Sequence, residues 1–182
     1  MQCVKGCAGL PDEPTPWISR LLAAEVVVTV SAVGEAVHSA PVWRDRSDFI
    51  IATPVEPGES GVSTEQLWAR RVDDQHYELC CIPFFAYDLA LGDVVEVDPE
   101  YLVTRVSKPS GRYVFRAYFG RSAHPQGEIL DRLTELGALV EWLSATLLAI
   151  DAADLSHAQQ LADFLQEREA LGQLLFETGR SA

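Results

Sequence analysis

The last third of the chain switches between two hydrophobic periods in an order that few folds accommodate. From Arg112 to Phe119 the period is two: Tyr113, Phe115, Ala117 and Phe119 fall on one side of an extended segment, and Arg112, Val114, Arg116 and Tyr118 on the other. The period then lengthens to that of a helix. Pro125 stands at a favoured first helical position, Ile129, Leu130, Leu133 and Leu136 share one stripe, and Gly137 supplies the stop. Two extended runs follow at residues 138–144 and 146–151, with a turn near Ser144 and Ala145. A second helix is predicted where Ser156 and Gln159 have capping-box spacing and Ala158, Leu161, Ala162 and Leu165 build the stripe; Gly172 ends it, and residues 173–177 make a last strand.

Strand, helix, strand, strand, helix, strand is the order of the ferredoxin-like (split βαβ) arrangement. Sensors, RNA binders, inhibitors and enzymes all use it, so the order predicts a fold and not a function. Upstream, short extended segments at residues 49–53, 66–72, 76–82, 93–97 and 101–107 are separated by turn residues, with hairpins across Asp73, Asp74 and Gln75 and across Asp98, Pro99 and Glu100. Neither face of the segment at 66–72 is uniformly polar, so both are partly covered, and five strands at this spacing predict a small barrel or a strongly bent sheet. The expected architecture is therefore α+β. It comprises a variable N-terminal extension (1–42), a small β-barrel-like domain (43–109) and a ferredoxin-like βαββαβ domain (110–182). The joint at Ser110 and Gly111 is so short that the two domains should form one rigid unit. The extension, with Pro11, Pro14, Pro16 and Pro41 around one apolar run, reads as an appendage, the domain proper beginning near Trp43.

Composition removes several function classes. With 182 residues, 48% of them hydrophobic, the chain can bury a substantial core. Its net charge of -13 repels nucleic acid phosphates and anionic membranes and favours basic partners, which excludes nonspecific DNA binding. The longest apolar run, residues 26–33, is interrupted by Thr29 and Ser31 and falls short of the roughly 20 residues of a membrane span. Residues 20–40 imitate a secretory signal, but Glu25 in the apolar middle speaks against export. Cys3, Cys7, Cys80 and Cys81 complete no zinc pattern and read as reduced thiols of a cytoplasmic protein, with no metal or cofactor implied.

One stretch inverts the local charge. Arg105, Lys108, Arg112, Arg116 and Arg121 occur without an intervening acid. If the aromatic side of the strand packs on the helices, Arg112, Arg116 and Tyr118 line the open face of the sheet. Together with Arg105 they form the candidate binding residues, a surface suited to an anion, a stacked base or a protein. The competing reading pairs these arginines with acidic residues of the barrel-like domain at an internal interface. His76 and Cys80 invite a thiolate–imidazole pair, yet four residues along a strand place them about 13 Å apart, so a core role suits the cysteines better. Asp88 and Asp93 flank a turn that serves either a cation or turn chemistry. The charges from Trp43 to Asp48 alternate in a way that suits pairing across solvent. No P-loop, dinucleotide fingerprint, zincin helix or nucleophile elbow is present, which points away from an enzyme and leaves no catalytic residue to name.

The block LWARRVDDQHYELCCIPFFAYDLALGDVVEVDPE (67–100), with SGRYVFRAYF from Ser110 and the closing LLAIDAAD and LLFETG segments, resembles a bacterial family known only as domain of unknown function 4265 over about residues 43–180. That resemblance implies no activity. The carboxy-terminal half is also similar in layout to bacterial ribonuclease E inhibitor proteins, which use a ferredoxin-like domain to bind a partner. The expectation is a binding or regulatory protein, inhibitor- or immunity-like, that engages another protein such as an enzyme, nuclease or toxin through the basic–aromatic sheet face. The alternative is an enzyme or sensor for a small anionic metabolite held between the domains by Arg112 and Arg116. RNA binding through the sheet is disfavoured by the net charge.

Overall fold

The computed structural model describes residues 34–56, 60–120 and 126–180. Its first part contains β1 (Glu35–Ala36), a 3-10 turn (Arg44–Arg46), β2 (Phe49–Pro54), β3 (Thr64–Arg71), β4 (His76–Leu79), β5 (Val94–Val97) and β6 (Val103–Lys108). The second contains β7 (Tyr113–Tyr118), α1 (Gln126–Glu135), β8 (Leu139–Trp142), β9 (Leu147–Ala152), α2 (Leu155–Ala170) and β10 (Leu175–Thr178). The described chain is thus mixed α+β, with two helices and ten strands in two sheets.

In the first sheet β3 is the organiser. Antiparallel β2 runs along one side of it, while β4 and the short parallel β1 take opposite ends of the other. β5 and β6 continue from β4, and register shifts after Val94 and Glu96 bend the sheet so that β6 returns toward β2. The barrel expected from strand spacing does not close. Closure needs a continuous β2–β6 ladder, and only an isolated bridge between Ala52 and Leu102 forms. Ile51, Leu67, Ala69, Tyr77, Leu79 and Val95 fill the bend.

The second sheet has the order β10-β7-β9-β8, every neighbour antiparallel. Phe115, Ala117 and Phe119 pack on Ile129 and Leu133 of α1 and Leu161 and Leu165 of α2, so the aromatic side of β7 meets the helices as its alternation predicts. Gly137, at φ 87°, closes α1: its N–H donates to the Thr134 carbonyl and that of Ala138 to Leu133. The start of α2 differs from the expected capping box. Asp154 is the N-cap, its carboxylate accepting the His157 N–H at 2.9 Å, because the extended backbone at Asp154 places that side chain over the first turn.

The other face of this sheet is not open. Val114, Leu147 and Ala149 pack against Ile82, Phe84, Phe85, Leu91 and Ala36, so that a loop of the first part and its sheet cover what alternation alone leaves exposed, and β9 is buried at every residue. Residues 34–42 also depart from the expected appendage. Ala36 and His38 are buried, β1 pairs with β3, and the Trp43 N–H donates to the Cys80 carbonyl. Proline content marked this segment as separate, whereas its buried hydrogen bonds make it part of the core. The remainder of the extension, with Cys3, Cys7, Pro11, Pro14 and Pro16 and most of the signal-like stretch, lies outside the described residues, as do Arg121 and Pro125. No helix among the described residues is long and apolar enough to cross a membrane.

Candidate functional site

The covered face of the second sheet carries a row of charge. Cross-strand register aligns Glu177 of β10 with Arg116 of β7, Arg116 with Ala149 of β9, and Ala149 with Glu141 of β8. Small Ala149 leaves room between the two long polar side chains. Arg116 is 1% exposed; it pairs with Glu177 at 3.0 Å, donates to the carbonyls of Pro83 and Ala86, and lies 4.6 Å from the Tyr87 ring centre. Further along β9, Arg112 makes a bidentate contact with fully buried Asp151, which lies two residues beyond Ala149. Burial outweighs the arginines at both acids, raising the pKa of Asp151 despite Arg112 and of Glu177 despite Arg116.

At Glu141 the row joins a second cluster. His38 Nδ1 contacts Glu141 Oε2 at 2.6 Å, and Nε2 contacts Glu65 Oε1 at 3.1 Å. Glu65, on β3 and without exposure, also accepts the backbone N–H groups of Phe84 (2.5 Å), Phe85 (3.0 Å) and Ala86 (2.8 Å). Glu141 accepts those of Val42 and Ile82, both at 2.9 Å. Burial opposes a charge on His38, but neighbouring Cys81 and the hydrogen bonds to Glu141 and Glu65 outweigh it and hold the imidazole well above its ordinary pKa. Burial likewise opposes the charge on Glu65, yet His38 and the amides bring its pKa below the usual value. Burial pushes the Cys81 thiol up. An imidazolium clamped between carboxylates thus ties together residues 34–42, β3, the 80–86 loop and β8. Glu65 and Asp151 are closed to solvent, and the arrangement holds these elements together.

The candidate residues are therefore scattered. Arg116 is buried at the joint, Tyr118 is buried on the same strand, Arg112 is committed to Asp151, and Arg105 lies apart on β6, paired with Glu96. The sheet face on which a binding role was expected is an internal interface. Its arginines find acids mainly within their own sheet, Asp151 and Glu177, and take only carbonyls from the first part of the chain. His76 bonds Asp73 at 2.8 Å, and burial pushes the Cys80 thiol to about 11, far from a reactive thiolate. Asp93 is spent on the loop, accepting from Ala90 and Ser110. The charges after Trp43 dock on the sheet instead of on each other: Arg46 pairs with Glu78, Asp48 accepts the Arg71 N–H, and Arg44 and Arg46 stack over Trp68 and Trp43 at 3.9 and 4.0 Å. Among the described residues no group of three or more His, Cys, Asp or Glu side chains is placed to hold a metal ion.

Sequence reasoning passed over Glu65, Glu141, Asp151 and His38. A signal existed: Glu141 and Asp151 are single acids inside apolar strands, and a carboxylate can occupy such a position only with a donor to meet it.

An exposed acidic surface lies on the helix side of the second sheet. The outer face of α1 and α2 exposes Glu128, Asp131, Glu135, Asp163 and Glu167, whereas the arginines there, Arg132 and Arg168, are each bonded to one of those acids. Between the helices runs a groove of about 500 Å³ floored by Ile129, Leu136 and Phe164.

Residues 65–176 match the family model described as "Domain of unknown function (DUF4265)", and the chain belongs to that family. A solved structure entitled "Novel crystal structure of a hypothetical protein from Neisseria gonorrhoeae" is similar in fold, with a TM-score of 0.63 and 19% identity over 72% of this chain and 93% of that one. No curated protein shows significant similarity.

Proposed function

We propose that this member of the family is a binding and regulatory protein that engages a basic protein partner through its helix layer. The observation that carries the reading is a local excess of acid: Arg112 and Arg116 are held at the joint, and on α1 and α2 five exposed carboxylates, Glu128, Asp131, Glu135, Asp163 and Glu167, stand against the two arginines Arg132 and Arg168. Such a surface accelerates and selects association with a positively charged partner. The order β10-β7-β9-β8 with helices on one face supports a ferredoxin-like reading of residues 110–182. Buried free thiols at Cys80 and Cys81 support a reducing, cytoplasmic setting. The anionic-metabolite alternative loses its receptor, since Arg112 and Arg116 already hold carboxylates.

Photo-crosslinking in the native cell tests the proposal. A benzophenone side chain at Asp163 should capture a basic protein that one at exposed Thr104 does not, and Glu128→Lys with Asp163→Lys, tested with the benzophenone moved to Gln160, should abolish capture. Equal labelling from Asp163 and Thr104 would remove the reason to assign this face.

A further inference from the structure

The groove within the acidic helix layer specifies what kind of basic partner fits, and this inference rests on the reading above. Its lining positions recur at helical spacing, 128, 129 and 132 on α1 with 136 just past its end, and 160, 163, 164 and 167 on α2. It therefore follows both helices for about two turns, roughly 12 Å at 1.5 Å per residue. Ile129 belongs to the core, while Leu136 and Phe164 are only partly covered, so the floor is apolar and reachable. Glu128, Asp163 and Glu167 share the rim with Gln160 and with Arg132 and Arg168.

We infer that this groove receives an amphipathic helix of the partner protein, its aliphatic side chains at i, i+3 or i+4, and i+7 filling the floor and its flanking lysines or arginines meeting the rim. Charge complementarity selects that occupant. Arg132 and Arg168 are tied to Glu135 and Glu167, and Asp131 and Glu135 extend the negative surface beyond the groove, so an acidic peptide or small anion is repelled.

The test uses fluorescence anisotropy with the whole protein and a labelled peptide of about fifteen residues, long enough for four helical turns. The peptide is built from Leu, Lys and Ala, with Leu at the stated spacing. A scrambled peptide of identical composition separates shape from charge. At about 150 mM salt, where long-range attraction is screened, the amphipathic peptide should bind about tenfold tighter than the scramble, a difference of 1.4 kcal/mol. Leu136→Asp should erase that preference, while Glu128→Gln with Asp163→Asn should weaken both peptides. Equal affinity for the two peptides overturns the groove inference whatever the variants do, since that comparison needs only the unaltered protein. If crosslinking from Asp163 still captures a basic protein, the helix-layer reading survives that result; if capture also fails, both fall together.

Discussion

Glu65 and Glu167 belong to the same acidic chain and are treated in opposite ways. Glu65 is sealed from solvent and meets His38 and the N–H groups of Phe84, Phe85 and Ala86, whereas Glu167 is exposed and has Arg168 as its ion-pair partner. The contrast extends to the regions they represent. At the joint between the sheets Glu65, Glu141, Asp151 and Arg116 are each held by fixed hydrogen-bond partners, because a desolvated charge lacking them costs several kcal/mol. On the helix layer water solvates the carboxylates, and their pairing is optional. A charged residue in this protein is accordingly informative about binding only where solvent, not protein, completes its hydrogen bonds.

Replacing Glu65 should produce the largest effect of this contrast. Glu65→Ala orphans three buried amides and leaves His38 with Glu141 as its remaining carboxylate partner, and urea denaturation should show a loss of about 3–5 kcal/mol or more. A loss under about 1 kcal/mol, the range of an exposed pair, would erase the distinction between the two regions.

The pH dependence sharpens the same comparison at intermediate magnitude. The folded pKa of His38 is raised, so its contribution is complete below its unfolded value of about 6.5 and vanishes as pH rises through the higher folded value. The folded pKa of Glu65 is lowered, so its contribution is present above its unfolded value of about 4.3 and is lost as pH falls through the folded one. The stability gap between the wild type and His38→Asn should therefore be widest between those limits and shrink on both sides. A gap that stays constant far into alkaline solution would mean that the imidazole is not the cation of the cluster.

The smallest effect belongs to the helix layer. Asp163→Asn and Glu128→Gln should change stability by no more than about 0.5 kcal/mol, even though they remove charge from the proposed contact surface. A melting shift beyond several degrees would place these carboxylates among the structural ones.

Much of the fold was legible before any coordinates. Alternation from Tyr113 to Phe119 assigned the helix-facing side of β7, and the stripes of Ile129 with Leu133 and of Leu161 with Leu165 located both helices. Gly137 marked the end of α1 because its left-handed backbone suits glycine. The site was less legible. Period-two alternation states that Arg112, Arg116 and Tyr118 share a face, but it carries no information about what lies over that face. The cover is the loop containing Ile82, Phe84 and Phe85, distant in sequence and irregular in backbone. The proline-rich composition before Trp43 likewise hid His38, a lone histidine whose two acids stand 27 and 103 residues away.

Local order along the chain, meaning the succession of strands and helices and the inward side of each, was set by the amino-acid sequence alone, since periodicity and capping act between near neighbours. So was the excess of carboxylates. Which charges are spent inside and which face water was decided only in three dimensions. Ion pairs such as Arg112 with Asp151 and His38 with Glu141 form across long stretches of chain, and burial changes the free energy of a charge far more than any neighbour in sequence does.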